Sequence, residues 1–155
     1  MPIQYTNLSI PSIFSVLARS CRRNILMESW AEGVETVVTN DRYNKLQPGF
    51  YSDLQNLGWN SDIQRQKATA MDEYSPIVID LVDNFNQNVR DSKWPVDKVN
   101  GYTLQQIQSA LKGSRYPNTW RNKLNSIRPN GVSTAELNIL FKYMDQIPQN
   151  PQTCK

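Results

Sequence analysis

The sequence of 155 residues contains no histidine, and this absence removes more functions than any other feature of the chain. Ser–His and Cys–His nucleophilic centres, the usual zinc ligand sets and the commonest general base at neutral pH all require imidazole. Cysteine is nearly missing too. Cys21 and Cys154 are too few for a disulfide framework, which points to a reducing compartment. No apolar run has the length needed to span a bilayer, and residues 1–10 lack the basic start and apolar centre of a secretion signal. No membrane partner is therefore expected. Phosphate loops, GxGxxG and CxxC pairs are also missing. Adjacent acids such as Asp72 and Glu73 read as solvated. Nothing in the chain asks for turnover, so the expectation is a non-enzyme without cofactor or metal.

What is present reads as helix. Hydrophobic residues make up 39% and charged residues 20% of the chain, a balance suited to one globular domain with a real core. Pro11 and Ser12 open a first helix carrying Ile13, Phe14, Val16 and Leu17. Ile25, Leu26 and Trp30 continue it or begin a second. Trp30, Val34, Val37 and Val38 then recur at helical spacing to about Leu46, with Gly33 a point of division into two antiparallel pieces. Residues 50–74 mix aromatics with Gly, Asn and Ser and read as an ordered connection. Ser75 and Pro76 form a strong helix start, and Val78, Leu81, Val82, Phe85 and Val89 make its apolar stripe as far as Arg90. Asp80, Asp83 and Asn84 fall off that stripe. Thr103 caps a helix with Leu104, Ile107 and Leu111 inward; Gly113 and Pro117 split it, and it resumes with Trp120, Leu124 and Ile127. Ser133 and Glu136 form a capping box for a last helix using Leu137, Leu140, Phe141 and Met144. The predicted organisation is a single all-α domain over residues 1–147, with a flexible tail at 148–155.

Charge is distributed unevenly over this map. Residues 90–128 hold eight Lys and Arg (Arg90, Lys93, Lys98, Lys112, Arg115, Arg121, Lys123, Arg128) against Asp91 and Asp97. The remainder keeps nine bases and twelve acids, so the net +3 conceals a cationic segment. Such a field attracts polyanions, although a plain solvated face is the competing explanation. Two nucleic-acid roles fit. A sequence reader would use residues 103–127 as a helix-turn-helix and offer Asn118, Arg121, Asn122 and Asn125 to a major groove. A packaging protein would instead need only phosphate neutralisation and room for bases.

Short segments, in order, resemble the coat proteins of rod-shaped plant RNA viruses of the tobamovirus type. Tyr5 and the Ile10-Pro11-Ser12-Ile13-Phe14 run are similar to that family's opening. Cys21, Thr36-Val37-Val38, Arg42-Tyr43 and Pro48 resemble its paired slewed helices. Ser75-Pro76-Ile77-Val78, Leu81, Phe85 and Arg90 resemble its right radial helix, and Arg121-Asn122-Lys123-Leu124-Asn125-Ser126-Ile127 with Arg128 and Gly131 its left radial helix.

The resemblance implies an all-α four-helix bundle with an additional short C-terminal helix. It implies self-association into a helical rod, with single-stranded RNA gripped by basic residues at the inner end of the bundle. Virion and host cytoplasm would be its locations. Its RNA contacts would fall on Arg90 and Arg121, with Asn88 where a second arginine is usual. Lys93, Arg115 and Lys123 join them on charge and position. Asn44 and Ser75 stand where the family has the repelling carboxylates of its disassembly switch. That leaves Asp72, Glu73, Asp91 and Asp97 as unplaced candidates. Pro117 interrupts what the family keeps as one long helix, so a kink or a disordered inner end is expected there.

Overall fold

The computed structural model of the protein describes residues 10–48, 77–84 and 97–145. Among them lie five helices and no strand: α1 (Ile10–Leu46), α2 (Ile77–Val82), α3 (Leu104–Leu111), α4 (Pro117–Ser126) and α5 (Thr134–Asp145). The expected tail at 148–155, the connection at 50–74 and the start at Ser75 and Pro76 lie outside the described residues.

Helix α1 runs unbroken for 37 residues, roughly 55 Å at the helical rise. Gly33 does not divide it, and the paired helices implied for this stretch are one helix. The glycine has another use. A Cβ built there would lie within 3.0 Å of Cβ, Cγ1 and Cγ2 of Val78, so its missing side chain lets α2 cross against the α1 backbone. The buried stripe of α1 accordingly runs from Leu26 through small and polar residues, Ser29, Gly33, Thr36 and Asn40. The expected Trp30/Val34/Val37/Val38 face is rotated off this line. Trp30 packs against the edge of the core, and Val38 is 52% exposed.

Helix α2 is shorter than predicted and has almost no solvent face. Ile77, Val78, Ile79, Asp80 and Leu81 are all buried. It ends at Val82 because its last carbonyls are taken by a distant segment. Tyr102 N–H donates to Leu81 O at 3.0 Å and Gly101 N–H to Val82 O at 3.4 Å, with Gly101 at φ +77. Asp83 and Asn84 are not helical, and Phe85 and Val89 lie outside the described residues. Asp83, expected at the surface, is 1% exposed, and Asp97 is 3% exposed.

The remaining helices are set by local chemistry. Thr103 Oγ1 accepts from Gln106 N–H at 3.2 Å while Gln106 Oε1 accepts from Thr103 N–H at 2.9 Å, a capping box that starts α3. The same reciprocal pair, Ser133 with Glu136, starts α5. The two Ser133 hydrogen bonds, with a smaller contribution from the Lys98 charge, hold the Glu136 carboxyl below its ordinary range. Pro117 occupies the first turn of α4, where its fixed φ and missing N–H cost nothing. Trp120 sits fully buried, edge-on to Phe141 with ring centroids 5.5 Å apart, and joins α4 to α5. Its Nε1–H donates to Ile107 O at 3.4 Å, and the Tyr102 hydroxyl donates to Leu124 O at 3.2 Å. Ile127, expected on the same inner face, is 39% exposed. The core thus gathers Leu26 of α1, Ile77, Val78 and Leu81 of α2, and side chains from all three C-terminal helices.

Two measurements test this packing. Gly33→Ala should cost about 1–3 kcal/mol in urea unfolding through overpacking, and Val78→Ala in the same background should not recover the loss, because the Cβ it keeps is the atom closest to the added methyl. The second concerns Asp97. Burial, reinforced by the nearby Asp83 charge, pushes its carboxyl up to about 8 despite the Val99 N–H that favours the anion. The folded state therefore holds a proton that the unfolded chain releases above its ordinary range, and stability should fall as pH rises from about 4 towards 8. Asp97→Asn keeps an acceptor for Val99 N–H, now 2.9 Å from Oδ1. It should flatten the decline by at least about 1 kcal/mol between pH 5 and 8, read from unfolding midpoints.

Candidate nucleic-acid interface

Helix α3 ends with the carbonyls of Gln108, Ala110 and Leu111 engaged, and this fixes the turn that carries the cations. Lys112 N–H donates to Gln108 O at 3.0 Å, and Ser114 N–H to Leu111 O at 2.8 Å. Ser114 Oγ–H donates to Ala110 O at 2.9 Å. Gly113, at φ +74, makes the left-handed step an L side chain resists. The Lys123 ammonium reaches across from α4 and donates to the Lys112 carbonyl. The end of the α3 dipole is negative, so Lys112 and Lys123 are placed where a cation is favoured.

This turn forms one wall of a groove of about 690 Å³. Lys112, Gly113, Ser114 and Arg115 line it from the turn, Gln108 and Ser109 from α3, and Arg23, Met27 and Trp30 from α1. Three of these are cations and none is an acid. Lys45 and Asp41 form an exposed ion pair of little energetic weight far along α1.

The predicted site residues are distributed as follows. Arg115 is exposed and on the groove; Lys123 braces the turn beside it. Arg121 is half-buried on α4 and does not line the groove. Asn88, Arg90 and Lys93 lie outside the described residues, so three of the six expected contacts have no position here. Sequence reasoning missed Arg23, Lys112, Met27 and Trp30 as groove residues. Arg23 belongs to a basic patch with Arg19 and Arg22 in the sequence, and no local signal ties it to a turn so far along the chain.

The helix-turn-helix surface is also on view. Asn118 and Asn122 are exposed on α4. Asn125 is not free to read a base, because its Oδ1 accepts from Thr134 Oγ1 at 2.8 Å and from Arg128 Nη1 at 3.3 Å. Arg128 also donates to Asn125 O at 2.9 Å. Pro117 introduces an ordered turn and a new helix rather than a disordered end. Comparison with known protein families, curated proteins and solved structures returns no match. Among the described residues no helix is long and apolar enough to cross a membrane.

Lys123→Met keeps the aliphatic stem and removes the donor to the Lys112 carbonyl. It should lower stability by about 1 kcal/mol in thermal unfolding. Amide exchange should quicken at Lys112 and Ser114 and stay unchanged in α5.

Proposed function

We propose that the protein is a structural coat protein: copies associate into a helical rod and package single-stranded RNA through basic residues at one end of the helical domain. The single observation that carries this reading is the convergence of Arg23, Lys112 and Arg115 on one groove with no acid in its lining. Cations held there without carboxylates suit a chain of phosphates, for which neutralisation supplies affinity without sequence preference. Exposed apolar side chains on the last turns of α1, Val38, Tyr43 and Leu46, offer surface for contact between copies. The finer arrangement, a four-helix bundle with an additional short C-terminal helix, belongs to the same proposal. So do the virion and host-cytoplasm locations, and the assignment of Arg90, Arg121, Lys93, Arg115, Lys123 and Asn88 to RNA.

A second reading keeps α3 and α4 as a duplex-DNA reader, favoured by the exposed Asn118 and Asn122. It is weakened by the bonds that occupy Asn125. Sedimentation separates the two. The coat reading expects large discs or rods whose size changes with pH and ionic strength, and a species that stays monomeric or dimeric throughout would remove it. With Arg115→Gln and Arg121→Gln together, RNA packaging should fall while protein-only assembly persists. The DNA reader would instead lose binding to one duplex sequence.

A further inference from the structure

The groove between α1 and the α3–α4 turn contains more than charge. Trp30 packs against the hydrophobic core and also lines the groove, so its indole is held in place by side chains that cannot move away. Beside it Met27 is 50% exposed, an apolar side chain left open on a helix whose neighbouring Ile25 and Leu26 are buried. An indole fixed from behind and a polarisable thioether make a flat apolar floor. Exposed Arg23 stands on α1 at the same groove, with exposed Lys112 and Arg115 on the opposite wall. Gln108 and Ser109 supply donors and acceptors at the rim. The wall carrying Arg115 is the turn braced by Ser114 and Lys123, so that cation is presented on a rigid support.

Apolar floor, cationic walls and amide rim match the face of a base, its flanking phosphates and its polar edge. We infer that this groove is a nucleotide-binding subsite for a single strand: a base lies on Trp30 and Met27, Arg23, Lys112 and Arg115 take the flanking phosphates, and Gln108 meets the base edge. The inference rests on the RNA-packaging reading and adds to it the place and the mode of contact. A volume of about 690 Å³ falls within the ~300–1,000 Å³ of sites that enclose small ligands. It admits a nucleotide with its flanking phosphates and excludes a duplex, whose bases stay stacked inside. Phosphates here must be held by side chains, because the carbonyl end of α3 repels an anion. That accounts for three cations being gathered at one helix end. Base stacking on an aromatic floor is tolerant of sequence, as a packaging protein requires.

The test is fluorescence anisotropy with a labelled oligouridylate, single-stranded and also annealed into a duplex. The proteins compared are wild type, Arg23→Gln/Arg115→Gln, Met27→Glu and Trp30→Leu. Arg42→Gln/Lys45→Gln, on the far part of α1, serves as a charge-matched control. Met27→Glu changes an exposed side chain and keeps the test valid if Trp30→Leu unfolds. Trp30→Leu and Met27→Glu should each weaken single-strand binding about tenfold. The arginine pair should lower the logarithmic salt slope by about 1.4, two contacts at ~0.7 each, and the control should leave the slope nearly unchanged. Wild-type binding with groove variants no weaker than the control would overturn the groove while leaving RNA packaging intact. No binding of RNA by wild type at all would overturn packaging itself, and the groove with it. Tighter binding of the duplex than of the single strand would overturn both.

Discussion

Helix α2 has to be surrounded, and that requirement places the rest of the described structure. Six residues bring Ile77, Val78, Ile79 and Leu81 to near-complete burial along with the carboxyl of Asp80. A helix this short has no stability of its own. It exists because α1 lies against it at Gly33, α5 packs beside it, and the 101–102 backbone takes its last carbonyls. The approach at Gly33 is the tightest part of this arrangement. A methyl group at that point would separate α1 from α2 and loosen Leu26 from Leu81 in the shared core.

The groove is a by-product of the same geometry. Held against α2 by its small-residue stripe, α1 turns Trp30 to the border of the core and Met27 out of it. Helix α3 packs against α1 through Ile107 and Leu111, and its C-terminal end therefore falls beside Arg23. The turn is short of neither hydrogen bonds nor cations. Lys123 shows how the two needs combine: its ammonium closes the Lys112 carbonyl and adds charge to the end of the groove.

Where the physics is local, the sequence announced the structure. The Ser133–Glu136 capping box was legible because its partners are three residues apart, Thr103 was legible as a cap though not its return bond from Gln106, and Pro117 was legible as a break because proline permits only the start of a helix. Leu46 as the end of α1 and the inward set Ile107, Leu111, Trp120, Leu124, Leu137, Leu140 and Phe141 also followed from spacing alone. The buried face of α1 was missed because hydrophobicity favours Val34 and Val38 over Ser29, Gly33 and Thr36. Only the partner's closeness makes small residues the better inner face. The early end of α2 was illegible for a related reason: residues 101 and 102 capture its carbonyls from far down the chain. Spacing placed Asp83 off the apolar stripe and left Asp97 without a position, and neither signal reveals that both are buried. For the proposed site, charge counting pointed to the turn beside Arg115 and Lys123. It had no means of adding Arg23 or Trp30, which reach that turn only through the fold.

The placement of α2 also decides the order in which this protein can be built. Helix α1 leaves the ribosome first, carrying Leu26 and the rim around Gly33 with nothing to cover them. The segments that complete its environment come from residues 77–82 and from 97 onward, so the core closes only late in synthesis. By then α3, α4 and α5, whose contacts are mostly between neighbours in the chain, can have formed among themselves. Of the described helices, α1 thus waits longest for the segments that bury its inner face.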